Sequence, residues 1–241
     1  MKLLYYLAAI GEPDLNTKIV ILLNNLVNIY KNTSENFDVI VNFYETENDK
    51  IMYNLIKSLK FINNVYFYVK KGVLTELFLT NPFNSYISKY DYIVFILDDV
   101  KIVNINLKNM IKIKEKYDIK FLSPKVIKST HSFMNENNNL TINNFLEVYF
   151  LLLNPSDFYK FISLYTVQNK WMWGVDFLFG HYGIKTGVIN SYSVLHALPK
   201  KADKETAKKC LSEFLKNNTP FNSLSEIKEK YSPIISYIKL D

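Results

Sequence analysis

The sequence predicts an α/β protein: a mostly parallel sheet flanked by helices, with a small helical appendage at the C-terminal end. Three observations carry this. Through the first part of the chain, apolar runs of strand length alternate with segments of helical periodicity, as in a parallel sheet covered on both faces. One such run, residues 92–97, ends in the adjacent carboxylates Asp98 and Asp99, at the strand end where open α/β sheets place their ligands. The 241 residues are 49% hydrophobic and 15% aromatic, enough to fill one core without disorder.

Leu3–Ile10 reads as a first strand. Residues 16–30 carry Ile19, Leu22, Leu23, Leu26, Val27 and Tyr30 at helical spacing, so a helix follows. Residues 38–44 and 65–69 are predicted strands, each followed by a helix, at 49–59 and 73–79. Beyond the strand at 92–97 the spacing predicts a helix over Leu107–Lys116 and a strand over 120–123. Residues 130–144 are polar and Asn-rich, a predicted loop, and 145–153 is an apolar run of buried-strand character. Asn154-Pro155-Ser156-Asp157 caps a helix over 158–165, with Pro just inside its start. A further helix is expected to begin near Gly174, and 187–195 is the last expected strand. Two polar helices, 203–216 and Leu224–Lys230, then precede a tail. The domain division expected is 1–199 for the α/β unit and 200–241 for a helical extension packed on it.

The net charge is +6, and all 29 basic residues are Lys. Without Arg, the bidentate contacts to bases and phosphates that nucleic-acid readers use are missing, so no nucleic-acid partner is expected. The excess charge favours an anionic substrate or membrane surface. The Lys-rich segment 203–216 could touch a membrane peripherally, although its interleaved Glu residues fit a solvated helix better. One cysteine, Cys210, excludes an internal disulfide and a thiolate metal cluster; a cytoplasmic location is expected. The apolar start is cut off by Gly11-Glu12-Pro13-Asp14 and reads as a strand rather than a signal peptide.

Two adjacent acids at the end of a buried strand repel each other unless a cation or a hydroxyl-rich ligand sits with them. Two further segments stand apart from ordinary core sequence. Trp171-Met172-Trp173-Gly174-Val175-Asp176 gathers both tryptophans beside an acid. Val188-Ile189-Asn190-Ser191-Tyr192-Ser193-Val194-Leu195-His196 is a strand closed by a histidine.

In that order the motifs resemble GT-A glycosyltransferases, and more narrowly a family shared by plant proteins and large algal viruses. The matching residues are Tyr90-Asp91-Tyr92-Ile93, Asp98-Asp99, Ser123-Pro124, Phe145-Leu146-Glu147, Trp173-Gly174-Val175-Asp176, Thr186-Gly187-Val188-Ile189-Asn190 and Val194-Leu195-His196. The likeness covers roughly residues 85–199. One departure is that Leu97 occupies the first acidic position of the family's D-x-D motif.

The resemblance implies a metal-dependent transfer of sugar from a nucleotide-sugar, UDP favoured over GDP, to a glycan or lipid-linked glycan. Asp99 would bind Mn²⁺ or Mg²⁺ directly, and Asp98 through water or by accepting from the ribose hydroxyls. His196 would add a ligand from the opposite wall, for which Mn²⁺ has the broader ligand range. Ala9, Gly11 and Tyr44 would line the nucleotide. Asp176 would be the general base of an inverting reaction, beside an apolar sugar platform of Trp171 and Trp173. Glu147 and His131 would contact substrate hydroxyls; Lys70, Lys71, Lys200 and Lys201 are candidate diphosphate contacts. Two competing classes have weaker support. A sugar nucleotidyltransferase needs a Gly-rich basic loop that Ala9-Ile10-Gly11-Glu12-Pro13 lacks. A non-catalytic sugar- or nucleotide-binding domain would not require Asp99, Asp176 and His196 around one cavity.

Overall fold

In a computed structural model of the chain, residues 1–44, 49–128, 139–170, 172–198 and 204–240 are described. Four strands, β1 (Leu3–Ile10), β2 (Phe37–Tyr44), β3 (Ile62–Lys70) and β4 (Tyr92–Ile96), are parallel neighbours in the order β4-β1-β2-β3. Helices α1 (Leu15–Thr33), α2 (Asp49–Lys57) and α3 (Leu74–Leu79) make the crossovers, the last joined by a 3₁₀ segment over Pro82–Lys89. Every residue of β1 is buried, and alternate side chains feed two cores: Leu3, Tyr5 and Leu7 one, Leu4, Tyr6 and Ala8 the other. That is the pattern of a central strand covered on both faces. The chain leaves β1 toward β2 and β3, then returns to lay β4 on the other side of β1. In open α/β sheets such a reversal, at the carboxyl ends of the strands, is where ligands bind.

Beyond β4 the sheet continues through β8 (Phe150–Leu153), β6 (Phe121–Ile127), β9 (Thr186–His196), β7 (Asn139–Asn143) and β10 (Ile234–Lys239). Here β6 and β9 are parallel and the other pairings antiparallel. β5 (Val100–Asn104) leaves the main path and pairs with the end of β9, Val100 opposite His196. Asn25 of α1 clamps β5: its amide nitrogen donates to the Val100 carbonyl (2.7 Å) and its oxygen accepts from the Ile102 N–H (2.8 Å). Helices α4 (Leu107–Lys116) and α5 (Pro155–Ser163) are tied by a buried ion pair, Lys114 Nζ to Asp157 Oδ2 at 2.6 Å. The same ammonium donates to the carbonyls of Ile119 and Lys120, both at 2.6 Å. Among the described residues no helix is long and apolar enough to cross a membrane.

Several sequence expectations change. Only Phe150–Leu153 of the apolar run 145–153 is strand; its first part crosses the site as irregular chain. The end of the Asn-rich segment is strand β7, not loop. Its Leu140 and Ile142 reach the core, while Asn190 Nδ2 satisfies Thr141 Oγ1 (2.8 Å) and the Asn139 carbonyl (2.7 Å). In place of a helix from Gly174 there is one 3₁₀ turn, Val175–Phe177. The expected tail contains β10, which pairs with β7 at the sheet edge, so the C-terminal segment is α6 (Lys204–Asn218), α7 (Leu224–Lys230) and a strand rather than helices alone. Leu211, Phe214 and Leu215 of α6 belong to the same core as Met172, Val175 and Phe177.

Leaving Lys114 buried without its carboxylate is costly. Asp157→Ala is expected to lower the unfolding free energy by about 3–5 kcal/mol in urea denaturation. A loss below about 1 kcal/mol, the value of an exposed pair, would contradict that role.

Candidate active site

The acidic pair lies in the turn between β4 and β5, at the carboxyl end of β4 beside β1. Asp98 Oδ2 lies 2.8 Å from Lys18 Nζ. Lys18 rises from the first turns of α1, is 0% exposed, and also donates to the Gly11 carbonyl at 2.5 Å. Gly11 leaves β1 against Tyr44 at the end of β2: a Cβ there would stand 2.8 Å from both Cβ and Cδ2 of Tyr44. Burial raises the pKa of the Tyr44 hydroxyl, and the Asp98 carboxylate raises it further. Gly11, Tyr44, Asp98 and Lys18 therefore form one cluster, with Ala9 buried in β1 just before it. Sequence reasoning misses Lys18, although a signal for it exists. It falls with Leu15, Leu22, Asn25, Leu26 and Ile29 on the buried face of α1, where a lysine needs a specific partner.

Asp99 faces the other half of the sheet. Its carbonyl accepts from the Ala197 N–H at 2.8 Å, and His196 Nε2 stands 3.1 Å from its Oδ2. Both side chains are largely buried, and Asp99 Oδ1 and His196 Nδ1 are buried without a hydrogen-bond partner. His196 Nε2 and Asp99 Oδ2 are within hydrogen-bond distance of each other, and carboxylate oxygen and imidazole nitrogen are both atom types that could hold Mn²⁺. Among the described residues no group of three or more His, Cys, Asp or Glu is placed to hold a metal.

Asp176 sits in the 3₁₀ turn Val175–Phe177, after Gly174 at φ 81°. A Cβ on Gly174 would come 2.3 Å from Leu211 Cδ1 of α6, so the positive φ and the close packing both demand glycine there. The Asp176 carbonyl accepts from the Leu146 N–H at 3.2 Å. Its carboxyl is pushed up to about 7, first by burial and then by the charge of Glu147, against backbone N–H donors at Gly174, Asp176 and Phe177. Glu147 is buried and lies two residues before Tyr149. The Tyr149 carbonyl accepts from the Leu97 N–H at 3.1 Å, and its ring packs 4.6 Å from the His196 imidazole. The segment 146–149 thus bridges the Asp176 turn and the Asp99–His196 pair.

Trp173 is exposed, and its carbonyl accepts from Asn169 Nδ2 at 2.7 Å. Trp171, His131, Lys200 and Lys201 lie outside the described residues. Lys70 is ion-paired to Glu76 at 2.8 Å. Tyr149 and Tyr165 also bear on the site, and in sequence both look like ordinary core aromatics. The Tyr165 hydroxyl is buried without a hydrogen-bond partner, and burial and the Asp176 charge hold its pKa well up.

The parallel first half, the mixed second half and the flanking helices together make the GT-A fold. Solved structures of that fold superpose over 95% of the chain. The crystal structure of S. aureus TarS does so with a TM-score of 0.58 at 14% identity, the match spanning 42% of TarS. GalNAc-T7 with UDP, GalNAc and Mn²⁺ gives 0.63 at 8% identity over 54% of its length. TarS 1–349 in complex with UDP-GlcNAc gives 0.55 at 11% identity over 70% of its length. The chain thus spans about half the length of the first two. No family model and no curated protein sequence matches it.

A carboxyl group whose folded pKa is raised stabilises the fold at low pH, fully below its unfolded value near 3.8, and that contribution is lost as pH climbs to about 7. Carboxyl NMR should show Asp176 titrating near 7. In Glu147→Gln the midpoint should fall yet stay above 3.8, because burial is the larger cause. An Asp176 midpoint near 4, the ordinary carboxylate value, would contradict this environment.

Proposed function

We propose that the protein is a metal-dependent glycosyltransferase that moves a sugar from a UDP-sugar to a hydroxyl acceptor with inversion of configuration. The observation that carries this reading is the buried Asp99–His196 pair at the end of β4, joined through residues 146–149 to a carboxyl poised to titrate near 7. The UDP and UDP-GlcNAc named with the GalNAc-T7 and TarS structures support uridine as the nucleotide, and the Mn²⁺ with GalNAc-T7 supports a divalent cation. The motif likeness to the plant and algal-virus family supports the same assignment.

Asp99 and His196 would hold the cation, which when bound neutralises charge on the departing diphosphate. Gly11 and Tyr44 form the wall where the nucleotide would lie, at the reversal between β1 and β4. Asp176 accepts the proton of the acceptor hydroxyl as that oxygen bonds to the anomeric carbon. The bond from that carbon to the diphosphate oxygen breaks, and its electron pair leaves with the nucleotide. A carboxylate with pKa near the working pH suits this role, being deprotonated and still a competent base. Glu147, by its charge, keeps Asp176 in that range, and Trp173 offers an exposed apolar face to a sugar ring. A glycan or lipid-linked glycan is the acceptor class proposed, and peripheral contact with a membrane through the Lys-rich α6 is part of the same proposal.

A ligand that binds only the folded state raises the thermal midpoint by mass action. UDP with Mn²⁺ is expected to raise it, EDTA to remove the shift, and Asp99→Asn to remove it too. No shift with UDP or GDP would contradict the donor-site assignment. Asp176→Asn should retain the UDP–Mn²⁺ shift while transfer, measured by UDP release with an acceptor, falls at least about a hundredfold; normal turnover would exclude Asp176 as the base. In the wild type kcat/KM should rise with pH to a plateau above about 7, and a flat profile from pH ~5 to ~8 would count against it.

A further inference from the structure

The two acids of the pair have different partners: Asp99 meets a histidine, whereas Asp98 meets a lysine ammonium. Lys18 is fully buried, 2.8 Å from Asp98 Oδ2 and 2.5 Å from the Gly11 carbonyl. The side chain of Asp98 is 15% exposed and that of Lys18 1%, so water screens this pair poorly. A divalent cation approaching Asp98 Oδ2 would have to displace a buried ammonium or share that oxygen with it.

We propose that Lys18 is a positioning residue that takes Asp98 out of the metal's coordination sphere and sets the affinity of the site for its cation. This rests on the metal reading given above. With Lys18 present, the two carboxylates and the one ammonium sum to a single negative charge. The cation then meets a weak site, and oxygen ligands from the nucleotide diphosphate complete it. Metal and nucleotide therefore bind cooperatively, each raising the affinity for the other by the same factor. The bond from Lys18 to Gly11 also ties the charge balance at Asp98 to the backbone that packs on Tyr44. A cation lost from α1 is thus felt at the nucleotide wall as well.

The test is Mn²⁺ binding to the full chain, read from the loss of the free-ion electron paramagnetic resonance signal, with and without UDP. For the wild type, binding should be weak alone and at least about tenfold tighter with saturating UDP. Lys18→Met, which leaves both acids unneutralised, should bind Mn²⁺ alone at least about tenfold more tightly than the wild type. Lys18→Arg, which keeps the charge, should stay nearer the wild type than Lys18→Met.

Lys18→Met/Asp98→Asn removes both buried charges together and so is the variant best able to fold. It restores the net charge and should bind Mn²⁺ alone within about threefold of the wild type. A fall of tenfold or more in this double variant would mean that Asp98 is itself a ligand and would overturn the proposal. So would unchanged affinity in a folded Lys18→Met protein. If the wild type binds no Mn²⁺ even with UDP, the metal reading itself fails and takes this proposal with it; UDP binding measured calorimetrically in EDTA then tells whether the nucleotide site survives.

Discussion

Two neighbouring carboxylates at the end of a buried strand each need a polar partner, and each finds it on a different side of the sheet. Lys18 reaches Asp98 from α1, which packs on the parallel half of the sheet. His196 reaches Asp99 from β9, in the second half. Neither partner is near the pair in sequence. Both carboxylates therefore have their partners only once the two halves have docked. Asn25 reinforces this by holding β5 to the same helix that carries Lys18. Burying such charges seldom adds net stability, and losing one partner of a buried pair is expensive.

A second layer of support comes from the C-terminal segment. Helix α6 packs Leu211 against Gly174 so closely that no side chain fits there, and Lys228 of α7 places its ammonium 4.8 Å from the Phe177 ring. The turn bearing Asp176 is thus held from behind by residues far along the chain. On its inner side the turn meets Leu146 and Glu147. Burial there is the larger cause of the raised carboxyl pKa, and the backbone hydrogen bonds work against it.

Much of this is legible in the sequence because it follows local rules. The limits of β1, α4 and α7 come from apolar periodicity and flanking polar residues. The order of Asp98-Asp99, Trp173-Gly174-Val175-Asp176 and His196 points to one site, and the fold brings Asp99 to His196 and Asp176 to Glu147. What is not legible depends on long-range pairing. β7 and β10 are too polar or too short to stand out, and become strands through hydrogen bonds to distant neighbours. Gly174 reads as a helix start, yet its positive φ and the Leu211 contact confine the segment to a single turn. Lys18 can be suspected from its place on the buried face of α1, but its partner 80 residues away cannot. Tyr149 gains its role only because β8 pairs with β4.

Under the proposed function, Asp99 and His196 share a divalent cation at the carboxyl end of β4. Crystals grown with UDP and MnCl₂, measured near the manganese absorption edge, test it most directly. An anomalous peak about 2.2 Å from both the Asp99 carboxylate and a His196 ring nitrogen, with diphosphate oxygens completing the coordination, is the expected result. Bound UDP with no anomalous peak at this pair, or a peak coordinated elsewhere, would contradict it.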